Sequence, residues 1–292
     1  MYNECDNNAK RSIYGGSEMN GRTNQVAVLV SHLGNPFEAS LVSYVESALQ
    51  QRGYSMILQT YRQESGENSL RPLAERVDGL LLMGQTLSDP TLEHFRQQGI
   101  PIVSLMHPAW EKHGIPSVDL NWLQAMRKTI EYLQSRGHLE IGYMTNGDPA
   151  HYHTYRFSAF IRAMQMCKGR FDHSNVLNGG GTYLKAYDAM EQRIVGGELT
   201  FSALICANDL MAIGAIAACR YYGIDIPGKL AIIGCEDILM SSEVFPPLTT
   251  IQYDRDKLSR AAVDLLMARI DGEQADPPAP MLEGFLVVRA SG

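Results

Sequence analysis

Glu236 and Asp237 follow, one residue on, the apolar run 230–234, which reads as a buried strand. Two carboxylates at the end of a central strand are costly unless a partner or a guest satisfies them. Arg156 opens a segment that carries Phe157, Phe160 and Ile161 on one helical side, so its guanidinium either faces solvent or meets a polar guest. Asn208-Asp209 joins a buried strand to an apolar helix, where N-capping is the ordinary role; Asp209 is expected to cap, with Asn208 pointing elsewhere. His151-x-His153 suggests a metal, but no cysteine or carboxylate lies at a ligand spacing, so a rim or surface role is expected and no metal or cofactor is inferred. Asn178-Gly179-Gly180-Gly181 lacks the Lys-Ser/Thr ending of a phosphate-binding loop and reads as a turn. The chain contains no G-x-S-x-G, H-E-x-x-H, P-loop or G-x-G-x-x-G, so no enzyme activity is expected.

The elements that must position these residues alternate. β-branched runs at 26–31, 55–59, 79–83 and 102–105 are separated by amphipathic stretches. One of these starts at Pro36, repeats its apolar face at Phe37, Leu41, Val45 and Leu49, and stops at Gly53. A short helix is expected at 70–77, and Asn121 caps a long one to Arg136. The pattern then recurs: strands at 141–144, 203–207, 230–234 and 284–288, an extended crossing at 249–252, and helices at 155–168, 183–195, 210–222 and 254–270. Serial β-α units call for parallel sheets with helices on both faces. In such sheets guests bind beyond the carboxyl ends of the strands. The loops there (32–37, 84–89, 106–110, 145–156, 207–209 and 235–242) mix Asn, Asp, Glu, Arg and His with Phe, Tyr and Trp. That mixture suits sugars: polar groups for hydroxyls and aromatic faces for C–H patches.

Bulk properties narrow the class. A chain of 292 residues fits two lobes, and 45% hydrophobic with 20% charged residues is ordinary for a globular protein. A net charge of −7 argues against a surface built mainly for nucleic acid. The 5 cysteines are scattered without C-x-x-C spacing and read as reduced thiols. No apolar run approaches the ~20 residues of a membrane span, and no basic-then-apolar start marks a secretory signal, so a cytoplasmic location is expected. Residues 1–25 are polar and are expected to be a disordered tail or a remnant of a hinge.

Several motifs in order resemble the lactose-repressor (LacI/GalR) family of transcription regulators. Cys206-Ala207-Asn208-Asp209-Leu210-Met211-Ala212 is similar to its "CANDLMALGA" block. Ile226-Pro227, then Ile233-Gly234-Cys235-Glu236-Asp237, then Pro246-Pro247-Leu248-Thr249-Thr250 follow its "VP", "VVGFDD" and "PPLTTV". Asn35-Pro36-Phe37, Gly137-His138 and Arg156 with Phe160 resemble further steps. The resemblance implies an α/β fold of two Rossmann-like parallel-sheet lobes joined by three crossings, the type I periplasmic-binding-protein arrangement. It implies an N-terminal lobe of 26–137 plus 253–271 and a C-terminal lobe of 138–252 plus 282–292, with crossings near 137–139, 249–253 and 272–282. It places ligand contacts at Arg156, Asn208, Glu236 and Phe37. "GCED" departs from the usual "GFDD": Glu236 reaches one methylene further, and Cys235 removes an aromatic ring.

The function this implies is an effector-binding core that senses a sugar- or nucleoside-like small molecule and forms a homodimer. Neither a "TIKDVA" start nor a recognition helix is readable, so DNA is expected to be reached only through a helix-turn-helix missing here or through a partner chain. The alternative is the solute-binding receptor of a transport system.

Overall fold

The structure, a computed structural model, describes residues 21–30, 33–60, 69–84, 87–106, 114–147, 155–273 and 281–292. The first apolar run forms β1 (Gln25–Val30), followed by α1 (Pro36–Gln51). Asn35 caps α1 by accepting from the Phe37 N–H, and Pro36 occupies the first turn, where its missing N–H has no helical partner to lose. Phe37, Leu41, Val45 and Leu49 are all buried, as their period requires. β2 (Ser55–Thr60), β3 (Gly79–Met83), α2 (Asp89–Gln97), β4 (Ile102–Leu105) and β5 (Ser117–Leu120) follow. A 3-10 turn at Arg71–Glu75 stands where the sequence suggests a helix.

The chain continues with α3 (Trp122–Ser135), β6 (Ile141–Thr145), α4 (Tyr155–Met166), β7 (Val176–Asn178) and α5 (Tyr183–Val195). Next come β8 (Ala203–Cys206), α6 (Asp209–Tyr221), β9 (Ala231–Cys235) and α7 (Met240–Glu243). The last elements are β10 (Thr249–Gln252), α8 (Arg255–Ile270), β11 (Met281–Leu282) and β12 (Phe285–Val287). One sheet has the order β11-β5-β4-β3-β1-β2, the other β12-β10-β9-β8-β6-β7. All described pairings are parallel except β10 with β12. Residues 249–252, expected as a crossing, are a true strand of the second sheet.

The crossings follow from which sheet each element packs on. β5 belongs to the first sheet, whereas α3 packs against α4 and β12 of the second. The first crossing therefore lies at Asn121, ahead of the expected 137–139, and α3 sits with the second sheet. The period of α3 shows that Trp122, Met126, Ile130 and Leu133 are buried; it does not show against what. From β10 the chain passes through Tyr253 and Asp254 to α8, which packs on α1, β3, β4 and β5. β11 adds to the first sheet beside β5, and Glu283-Gly284 leads to β12 in the second. The outer crossings are tied where Asn121 N–H donates to Leu282 O at 2.8 Å.

α5 packs on α6 without room for a side chain at Gly214, where a Cβ would lie against the Tyr183 carbonyl. Gly214→Ala should therefore push the helices apart and cost about 1–3 kcal/mol in urea unfolding. An unchanged midpoint would show that this contact does not limit the packing.

Candidate functional site

The turn after β9 carries the acidic pair. Asp237 sits at φ +52°, a left-handed conformation uncommon outside glycine, so the turn needs external restraint. Four side chains supply it: Thr250, Asp209 behind it, Arg255 and Arg289. Glu236 N–H and Asp237 N–H both approach Thr250 Oγ1, at 3.3 and 3.4 Å. Thr250 Oγ1 in turn donates to Asp209 Oδ1 at 2.6 Å. Arg255 Nη2 donates to the carbonyls of Glu236 and Asp237 at 2.5 and 2.6 Å. Arg289 Nη2 donates to Asp237 Oδ1 at 2.7 Å.

Asp209 also accepts from Ile238 N–H at 3.0 Å and Ser241 Oγ at 2.6 Å, and is fully buried. Burial pushes its carboxyl above the usual range, and the hydrogen bonds from Ser241, Thr250 and Ile238 pull back. The helix cap is Asn208 instead, whose Oδ1 accepts from Met211 N–H at 2.8 Å. This corrects the expectation that Asp209 caps: its carboxylate is taken by donors from β10 and the turn into α7.

Arg156, in the first turn of α4, donates from Nη1 to Ala207 O at 2.5 Å and lies 3.5 Å from Glu236 Oε1. Its Cζ stands 4.4 Å from the centre of the Trp122 ring, a cation–π contact. Glu236 is 3% exposed, and its Oε2 has no hydrogen-bond partner among the described residues. Burial pushes this carboxyl up to about 8, against the Arg156 charge that would lower it. Burial also works against the Arg156 charge, but Tyr253 and Glu236 lead the neighbours that raise its pKa.

Three rings line the same place. Tyr253, between β10 and α8, meets Phe37 edge-on at 5.4 Å and Trp122 at 6.1 Å. Trp122 Nε1 donates to Asp119 Oδ1 at 3.3 Å, which fixes the indole at the crossing. The Arg255 guanidinium lies 5.4 Å from the centre of the Phe37 ring. The Oη atoms of Tyr253 and Tyr143 are buried without a partner among the described residues.

The structure thus brings Arg156 and Glu236 into contact and carries Phe37 to them through Tyr253 and Arg255. Asn208 adjoins through Ala207, but its amide is engaged within the protein: Nδ2 donates to Gly181 O at 3.1 Å. Trp122, Tyr253 and Arg255 are additions that the sequence reading did not single out. All three stand at crossings, where a one-residue shift decides which way a side chain faces. His151 and His153 lie outside the described residues, as do parts of the loops at 84–89, 106–110 and 145–156. Among the described residues no cluster of three or more His, Cys, Asp or Glu is arranged for a metal.

Two mostly parallel sheets with a buried guanidinium–carboxyl contact and aromatic rings at their crossings define a two-lobed binding protein of the hinged type. The family model "Periplasmic binding protein-like domain" matches residues 130–292. The HTH-type transcriptional repressor PurR of Haemophilus influenzae is 31% identical over 253 residues, 85% of this chain and 74% of that protein. The HTH-type transcriptional repressor CytR of Escherichia coli is 26% identical over 270 residues, 91% and 78% of the two chains. The transcriptional regulator CelR–cellobiose complex superposes with a TM-score of 0.82 at 28% identity, covering 93% of this chain and 85% of that one. The chain belongs to the LacI family, of which these residues form the periplasmic-binding-protein-like, effector-binding region. No helix among the described residues is long and apolar enough to cross a membrane.

The buried Glu236 makes stability depend on pH. Its folded value of about 8 lies above the ordinary 4.5, so the stabilisation from the neutral form is complete below about 4.5 and is lost as pH rises through about 8. Glu236→Gln should therefore gain stability relative to the wild type between pH 5 and 9, on the order of 3–5 kcal/mol, in denaturant unfolding. A difference that stays flat across that range would contradict the assignment.

Proposed function

We propose that this chain is the sensing core of a transcription regulator and that a sugar-like effector binds where the two sheets meet. The observation that carries this reading is the Glu236 carboxyl: buried beside Arg156, with one oxygen left without a protein partner. A buried polar atom of this kind stabilises the fold only when something supplies its hydrogen bond. Arg156 and Glu236 hydrogen-bond ring hydroxyls, Phe37, Trp122 and Tyr253 offer apolar faces, and the second amide hydrogen of Asn208 stands at the edge of the site. The cellobiose in the CelR complex, a structural neighbour at 28% identity, supports a saccharide as guest.

The moving parts in this reading are a first lobe of residues 26–120 with 255–282 and a second of 122–252 with 284–292, with the crossings as hinge. A guest that contacts both lobes favours the closed state by its differential affinity and so shifts the population. The relatives are HTH-type repressors; in this reading the chain works in the cytoplasm as a homodimer, and closure reaches DNA through a helix-turn-helix or a partner chain. The protein binds its guest without turning it over.

A thermal-shift screen against cellobiose, lactose, sucrose, ribose and adenosine tests the reading. A guest at ~100 times its dissociation constant stabilises by about 2.7 kcal/mol. At least one of these should raise the melting temperature of the wild type. Arg156→Ala and Glu236→Ala should each abolish the rise while the unliganded variants still unfold cooperatively, because Glu236 can stay neutral and Arg156 keeps Ala207 O. No shift with any sugar or nucleoside, or a full shift in both variants, would overturn the proposal.

A further inference from the structure

Tyr253 has an uncommon setting. Its ring is held edge-on by Phe37 and Trp122, yet the phenol oxygen they position is given no partner among the described residues. The side chain is 2% exposed. A tyrosine placed only for packing does better as phenylalanine, since a buried hydroxyl without a hydrogen bond is a net cost. The phenol also lies within the electrostatic reach of Arg156, Glu236 and Arg255. Glu236 Oε2 and Arg255 Nε are also buried without a partner among the described residues, and of the two only the carboxyl oxygen can accept a hydrogen bond. Trp122 covers one face of the Arg156 guanidinium while Ala207 O and Glu236 Oε1 take up Nη1, which limits the ways that cation can turn to serve the phenol.

We infer that Tyr253 is a specificity-determining residue: its phenol and Glu236 Oε2 hydrogen-bond one and the same hydroxyl of the guest. The inference rests on the reading of the cleft as an effector site and narrows it to guests that place a hydroxyl at this point. A hydroxyl both accepts and donates, so it satisfies the two atoms at once whether Glu236 is neutral, as burial favours below about pH 8, or ionised. A methylene at that point leaves both atoms unpaired, which is how a site built for a hydroxyl rejects the deoxy analogue.

The test compares wild type with Tyr253→Phe, first unliganded and then by calorimetric titration with whichever of cellobiose, lactose, sucrose, ribose and adenosine shifts the wild type. The unliganded variant should melt at or above the wild-type temperature, because it sheds an unpaired buried hydroxyl. Its affinity for the active guest should fall about tenfold. Among the monodeoxy forms of that guest, one should bind wild type and variant equally, having lost the partner that Tyr253 reads. A variant that melts lower, or binds the guest within twofold of wild type, or distinguishes every deoxy form as the wild type does, would overturn the inference while leaving the effector reading intact. Absence of any shift in the wild type would overturn the reading itself, and this inference with it.

Discussion

A guanidinium and a carboxyl group buried 3.5 Å apart set the terms for the rest of this structure. Neither can be taken from water cheaply, and their mutual attraction alone does not repay that cost unless other groups complete the hydrogen bonding. Much of the surrounding architecture is that completion. Ala207 O and the Trp122 ring hold Arg156 on two sides. Behind Glu236, a fully buried aspartate orients Thr250 and captures Ile238 and Ser241, so the turn that presents the glutamate is fixed from below. Arg255 grips the same turn by its carbonyls from the start of α8. Glu236 Oε2 and the Tyr253 phenol are among the groups left incomplete within the described residues, and in the proposed function a guest completes them.

The same contacts connect recognition to motion. Arg255 opens a helix that packs on the first sheet, stacks over Phe37 from that side, and donates to the Glu236 turn of the second. Tyr253 stands in one crossing, and Trp122 opens the helix that follows another. In the proposed function, the residues offered to the guest are therefore also residues at or beside the crossings, which is how binding would act on the angle between the sheets.

Much of the fold is legible in the sequence wherever its cause is local. Asn35-Pro36 starts α1 because capping involves neighbouring residues only, and the period Phe37, Leu41, Val45, Leu49 marks its buried face. Legibility ends where a distant partner decides. The strands Ser117–Leu120, Val176–Asn178 and Met281–Leu282 are two to four residues long and owe their extended form to the edges they pair with. The amphipathic α3 announces a buried side but not that the side faces the second sheet. Asn208 and Asp209 are both competent caps, and the choice between them is made by Ser241 and Thr250, far along the chain. Arg156 and Glu236 are visible as a pair only through the family motifs they sit in, whereas Trp122 and Tyr253 carry no such mark and emerge from geometry alone.

The central claim is that Glu236 is a buried carboxyl group in direct contact with the guest, and side-chain carboxyl ¹³C NMR reads it most directly. Titration of glutamate-labelled protein, with Glu236→Gln to assign the signal, should show Glu236 changing protonation near pH 8 in the free protein. Saturation with the guest that raises the melting temperature should move that titration and shift the resonance at neutral pH. A Glu236 signal that titrates in the ordinary carboxylate range and ignores the guest would contradict the account.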